Sequence, residues 1–102
     1  MNDKLMSLLG LCRRAGQLTL GFDKTAEAAK KGRVAAVLVA ADTAARTEKE
    51  LRFLAKERFP VVRLTHTSAQ LSQAIGASAK AVGITHTDFA NQALLLTQNG
   101  GM

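Results

Sequence analysis

Tryptophan and tyrosine are absent from this sequence, and cysteine and proline occur once each. A single cysteine cannot close an internal disulfide and supplies no C-x-x-C pair, which predicts a cytoplasmic setting. Four phenylalanines make up the whole aromatic content, a poor supply for a protein that holds single strands by stacking bases. No apolar run approaches the ~20 residues that span a bilayer. The opening MNDKLMSLLGLCRRAG puts its arginines after the apolar stretch, the reverse of a secretory signal. Acidic residues are scarce as well: eight stand against fourteen lysines and arginines, for a formal net charge of +6. In so small a chain that balance favours a polyanion, RNA or DNA, over a membrane surface.

Catalytic patterns are missing too. His66 and His86 stand in separate loops beside threonines, without the HxxxH or HExxH spacing of a metal site. There is no GxSxG and no glycine-rich loop followed by Lys-Ser/Thr. His86 near Asp88 resembles a base with its orienter, but the same spacing is common where helices begin. Both histidines are expected in structural or surface roles. The sequence predicts no enzyme, no cofactor and no metal.

What is present reads as one domain. The chain has 102 residues, 47% of them hydrophobic and 22% charged, which suits a single globular core and excludes a disordered chain. The domain is expected to cover residues 1–98, with a flexible tail at 99–102. Residues Val34–Ala40 carry no charge and predict a strand covered on both faces, at the centre of a sheet. Ahead of it, Asp23–Lys31 reads as a helix entered at Gly21 and ended at Gly32. Its first turn leaves backbone N–H groups free to attract an anion. Lys30, Lys31 and Arg33 cluster at its far end, where they either complete the helix's negative pole or contact phosphate.

The remaining chain alternates between helix and strand. Leu5, Leu8, Leu9 and Cys12 lie on one helical stripe, which makes Cys12 a buried structural thiol. Gln17–Leu20 is a short strand. Thr47-Glu48-Lys49-Glu50 has the form of a capping box opening a helix to about Arg58, with Leu51, Leu54 and Ala55 inward. Pro60 leads into the strand Val61–Leu64, and Thr67 or Ser68 caps a helix to Ile75. Lys80–Ile84 is a further strand, and Thr87-Asp88 caps the last helix. This order predicts an α/β fold, a three-layer α/β/α sandwich with a mixed sheet of about four strands. The spacing between strands leaves room for a helix each time, so much of the sheet is expected to be parallel.

The segments LLGLCRRAGQLTLG, FPVVRL, SAQLSQAIG and AKAVGI, with the glycine-bounded helix and its strand, resemble the ribosomal protein seven-Ae and thirty-e superfamily. Members of that family bind kink-turn RNA, and this chain is most similar to its small bacterial YlxQ-type branch. The resemblance covers about residues 4 to 96 and implies the thirty-e-like sandwich. The family signature is glycine, any residue, Asn-Glu, two residues, then Lys, with a second glycine eleven residues after the first. Gly21 and Gly32 keep that spacing, while Asp23, Lys24 and Glu27 stand where the family has Asn, Glu and Lys. In the family those three side chains read guanine edges in tandem sheared G·A pairs. The resemblance therefore implies RNA contact by Gly21, Phe22, Asp23, Lys24 and Glu27, with altered kink-turn specificity. It further implies contact by the Asp42-Thr43 loop and by the small loop of Gly76, Ala77, Ser78, Ala79 and Lys80. Lys31 and Arg33 are expected to flank these as phosphate contacts.

The expectation is a non-catalytic, ribosomal-protein-like binder of structured RNA, above all ribosomal RNA, working in the cytoplasm and away from membranes. The alternative is a protein-interaction module of the same fold that serves ribosome assembly or translation, since Asp23, Lys24 and Glu27 lack the base-reading set. A fragment of an RNA methyltransferase, whose substrate-binding domain can share this fold, is a third reading, but no catalytic domain accompanies it.

Overall fold

Val37, Leu38 and Val39 are each fully buried because two layers of helices close over them from opposite sides. The computed structural model describes residues 3–100, with side chains as far as Thr97. The elements run α1 (Lys4–Arg14), β1 (Leu18–Leu20), α2 (Phe22–Lys30), β2 (Ala36–Val39), α3 (Ala45–Ala55), β3 (Val61–Arg63), α4 (Ser68–Ile75), β4 (Ala81–Ile84) and α5 (Thr87–Gly100). Of the tail expected at 99–102, Gly101 and Met102 lie outside the described residues.

The strands form one sheet in the order β1-β4-β2-β3. Side chains alternate across it, as the period of two requires. Ala36, Leu38 and Ala40 face α1, α4 and α5, while Val37 and Val39 face α2 and α3. The α/β/α sandwich is thus as expected, with Cys12 sealed in the first core. Burial pushes the Cys12 thiol up from its ordinary value and leaves it un-ionised. Truncating a side chain such as Leu38 at this interface costs about 2–5 kcal/mol.

The sheet is mixed, and only β2–β3 pairs in parallel; β1–β4 and β2–β4 are antiparallel. The mixed sheet is as expected, but less of it is parallel than the spacing between strands suggests, one pairing of three. Connections long enough for a helix permit parallel neighbours without specifying them. Here the last strand enters between β1 and β2 and runs against both. Gly83 is fitted to that central position, since a Cβ there would stand 2.6 Å from Thr19 Oγ1.

Helix α3 also begins earlier than the capping-box reading has it, at Ala45 with Ala44 as N-cap and no side-chain cap. Thr47 lies inside the first turn, and Glu48 is drawn away to Arg52 and Arg63. At the fourth helix, where Thr67 or Ser68 is the expected cap, Thr67 caps and forms a full capping box: its Oγ1 accepts from the Gln70 N–H, and the Gln70 side-chain oxygen accepts from the Thr67 N–H. At α5 the cap is supplied by His86, whose Nδ1 accepts the Asp88 N–H at 3.2 Å. His66 lies against Asp3, the N-cap of α1. Partial burial works against ionisation of Asp3, yet hydrogen bonds from His66 and Met6 hold its carboxyl below the ordinary value.

Candidate nucleic-acid interface

The register of the sheet brings three chain segments to one end of it. Leu20 pairs with Val82 and Val39 with Ala81, so β1 and β2 finish where β4 starts. The Gly21 N–H donates to the Ala81 carbonyl at 2.8 Å, which seats the start of α2 on the start of β4. The Lys80 carbonyl accepts twice, from the Ala40 N–H at 2.8 Å and from Thr43 Oγ1 at 3.1 Å. These bonds join the Gly21 turn, the loop after β2 and the loop before β4.

Gly21 enters α2 at φ +86° and ψ 168°, a region that β-carbons disfavour. Having no side chain, it gives the first turn no side-chain cap, so the positive end of the helix faces outward. Asp23 and Lys24 are exposed in that turn. Phe22 is half-buried against the α3 side of the core. Lys24, Glu27 and Lys31 follow at helical spacing on one exposed stripe. Glu27 Oε1 and Lys31 Nζ pair at 3.1 Å. The hydrogen bond and charge of Lys31 hold the Glu27 carboxyl below its ordinary value.

Other expected contact residues are placed differently. Lys31 and Arg33 sit at the opposite end of α2, about 13 Å from its first turn at 1.5 Å per residue. There the Arg33 N–H bonds the Ala28 carbonyl, and the Ala35 N–H bonds Ile84, the last residue of β4. Neither is gathered with the two loops. Thr43 and Ala79 face inward, Thr43 being 3% exposed with its hydroxyl committed to Lys80. Asp42 is exposed, but Ser68 engages its carboxylate through both its N–H and its hydroxyl, each at 2.7 Å. The Ser68 hydroxyl and N–H, with the charge of Lys80, hold the Asp42 carboxyl below its ordinary value. Gly76 ends α4 at φ +73°, and Ala77, Ser78 and Lys80 complete the loop's accessible surface.

Two residues outside the expected set fix these loops. Arg63 donates from Nη2 to the Ala41 carbonyl and to the Thr43 carbonyl at 3.1 Å, while its Nη1 reaches Glu48 Oε1 at 2.7 Å. Arg13 Nη1 donates to the Ile75 carbonyl at 3.0 Å and stands 3.3 Å from where a Gly76 Cβ would be. In the sequence Arg13, with Arg14, reads either as a cation completing the end of the first helix or as an RNA contact, and Arg63 reads as a sign of a partly exposed strand face. Their partners lie 62 and about 20 residues away in the chain, so no local pattern could reveal them. The assembled end is a fixed backbone ledge carrying exposed Lys24 and Lys80 beside Asp23 and Asp42. Among the described residues it carries no convergent set of acid, base and nucleophile.

Residues 3–95 match the model of the ribosomal protein L7Ae/L30e/S12e/Gadd45 family. Among solved structures, a protein of unknown function from Bacillus halodurans C is 28% identical and superposes with a TM-score of 0.88, over 95% of this chain and 99% of that one. A Giardia lamblia 15.5 kD RNA-binding protein is 17% identical with a TM-score of 0.72, over 97% of this chain and 89% of that one. No curated protein matches the sequence significantly.

Proposed function

The chain belongs to the ribosomal protein L7Ae/L30e/S12e/Gadd45 family, and from that membership we propose that it is a non-catalytic RNA-binding protein. It recognises structured, kink-turn-like RNA through the start of α2 and the two loops beside it. In this reading it works in the cytoplasm on ribosomal RNA. The observation that carries the reading is the joining of three segments at one end of the sheet, by Gly21 to Ala81 and by Thr43 to Lys80. A rigid backbone ledge under a free helix N-terminus suits a folded RNA whose shape is already set. The +6 charge supplies attraction to the phosphate backbone. A structural neighbour described as an RNA-binding protein shares the fold.

Specificity departs from the standard kink-turn pattern. Asp23 and Glu27 bring carboxylates to the helix start, and Lys24 is left to donate to a guanine O6 or N7. Gel shift against a standard kink-turn, other structured RNAs and total ribosomal RNA tests the proposal. Binding that weakens steeply with salt supports it, and no binding at low salt, where phosphate contacts are strongest, rejects it.

One observation favours a second reading, a protein-binding module of the same fold. Asp23, Glu27 and Asp42 all sit at the face that would meet phosphates, and Glu27 neutralises Lys31. Partners that co-purify after nuclease treatment, together with absent RNA binding, support that reading.

A further inference from the structure

Two of the four phenylalanines line one groove beside the proposed interface. Between α2 and α3 runs an open groove of about 480 Å³ lined by apolar Phe22, Phe53 and Leu54 and by basic Lys30, Arg46 and Lys49. Phe59 is buried in the second core and Phe89 packs against the first, while Phe22 is half-buried against the second with part of its surface in the groove. Phe53 is 71% exposed, more than Leu95 at 60% or Leu11 at 46%. The Lys56 ammonium lies 5.6 Å from the centroid of the Phe53 ring, a cation beside an aromatic face. Glu50 also lines the groove and pairs with Arg46 at 3.6 Å, whereas Lys30 and Lys49 have no ion-pair partner among the described residues.

We propose that this groove is a subsite for an unpaired nucleotide segment of the bound RNA. Its bases stack on Phe53 and Phe22, and Lys30 and Lys49 take its phosphates. Aromatic platforms with interspersed cations are how proteins hold single strands irrespective of sequence. The volume lies within the ~300–1,000 Å³ of small-ligand sites, so the groove takes one or two nucleotides and not a duplex. Continuity supports the same occupant: Phe22 follows Gly21 directly, so an RNA seated on the helix start has its next nucleotides at the mouth of the groove. The groove between α1 and α5 has apolar Leu8, Leu11 and Leu95 but no aromatic ring and one lysine, Lys4. It lacks the chemistry for this ligand.

The inference rests on the RNA-binding reading and is tested so that the two can fail separately. Binding is measured by fluorescence anisotropy to a kink-turn duplex with blunt ends, and to the same duplex with four unpaired nucleotides at either end. An unpaired octauridylate is the third probe. The unpaired extension is expected to tighten binding of the native chain. Phe53→Ala is expected to remove at least about fivefold of that gain, with the blunt duplex unaffected, and Phe53→Tyr to retain it. Lys30→Ala with Lys49→Ala reduces the same gain by a route that leaves the aromatic rings intact. Thermal unfolding of each variant confirms the fold. An extension that adds nothing, or a gain that Phe53→Ala leaves whole, overturns the proposal. Octauridylate binding that Phe53→Ala abolishes, with no binding of the duplex, sustains the subsite and rejects the kink-turn reading. A protein partner lost on Phe53→Ala while the extension gives no gain assigns the groove to polypeptide, and also overturns the proposal.

Discussion

Thr43 Oγ1 donates to the Lys80 carbonyl at 3.1 Å, joining the loop that leaves β2 to the loop that enters β4. The bond is shielded, since Thr43 is almost wholly buried. Lys80 also accepts from Ala40, so removing the hydroxyl leaves its carbonyl partnered. Thr43→Val should therefore cost only about 0.5–1.5 kcal/mol of stability, read as a lower urea midpoint at unchanged slope. If the joined loops form the RNA surface, binding should fall by more than the unfolded fraction accounts for.

Gly21→Ala should destabilise although nothing blocks the added atom. Nothing lies within 4 Å of a Cβ built at Gly21, so the strain comes from the backbone at φ +86° and ψ 168°. Such a conformation costs a non-glycine residue about 1–3 kcal/mol. Gly32→Asn, at φ +69°, is the comparison, because asparagine tolerates the left-handed region far better than alanine. Chemical denaturation of the two variants should separate them, with Gly21→Ala the less stable.

Much of this architecture was legible in the sequence, because period and punctuation are local. The uncharged run before Asp42 identifies a central strand, and Leu5, Leu8, Leu9 and Cys12 mark an inward stripe that the structure buries. Gly21, Gly32 and Gly76 stop or start helices where expected, each with positive φ. What escaped depends on contacts far along the chain. Thr47-Glu48 reads as a cap, but Arg63 arrives from β3 and takes Glu48 as its partner. The insertion of β4 between β1 and β2 leaves no mark on connection lengths. Counting phenylalanines argues against base stacking, whereas packing α2 against α3 places Phe22 and Phe53 along one groove.

Acid should loosen the loop framework. Hydrogen bonds from Ser68 hold the Asp42 carboxyl below its ordinary 3.8, and Arg63 and then Arg52 hold Glu48 below 4.5. A carboxyl whose folded value is depressed binds fewer protons folded than unfolded, so stability rises with pH across that interval. The contribution is complete above the ordinary values and is lost as pH falls through the lowered ones. Urea midpoints measured between pH 7 and pH 3 should fall on the acid side. Asp42→Asn and Glu48→Gln should each flatten that fall, while a parallel curve for both variants would show that other carboxyls dominate.

Restoring the family's base-reading pattern tests the proposed RNA face most directly. The triple variant Asp23→Asn, Lys24→Glu, Glu27→Lys puts an amide, a carboxylate and an ammonium on the first turns of α2, where the family signature has them. It breaks the 3.1 Å pair between Glu27 and Lys31. In exchange, the new carboxylate at position 24 and the new ammonium at position 27 are neighbours at helical spacing, so the helix should survive. The net charge changes by one unit only: plus one at 23, minus two at 24 and plus two at 27. A regained bidentate contact to a guanine or adenine edge discriminates by about 1–3 kcal/mol, roughly 5- to 150-fold in affinity for a standard kink-turn. The gain should persist as salt is raised, because base contacts release few counterions, whereas one added charge would act through phosphates and fade with salt. Lys24→Ala alone in the native chain should relax specificity if that side chain reads a guanine edge, and weaken all RNAs evenly if it meets only phosphate. A triple variant that folds normally and binds a standard kink-turn no better than the native chain removes the start of α2 from the RNA face, and with it the assignment of Asp23, Lys24 and Glu27.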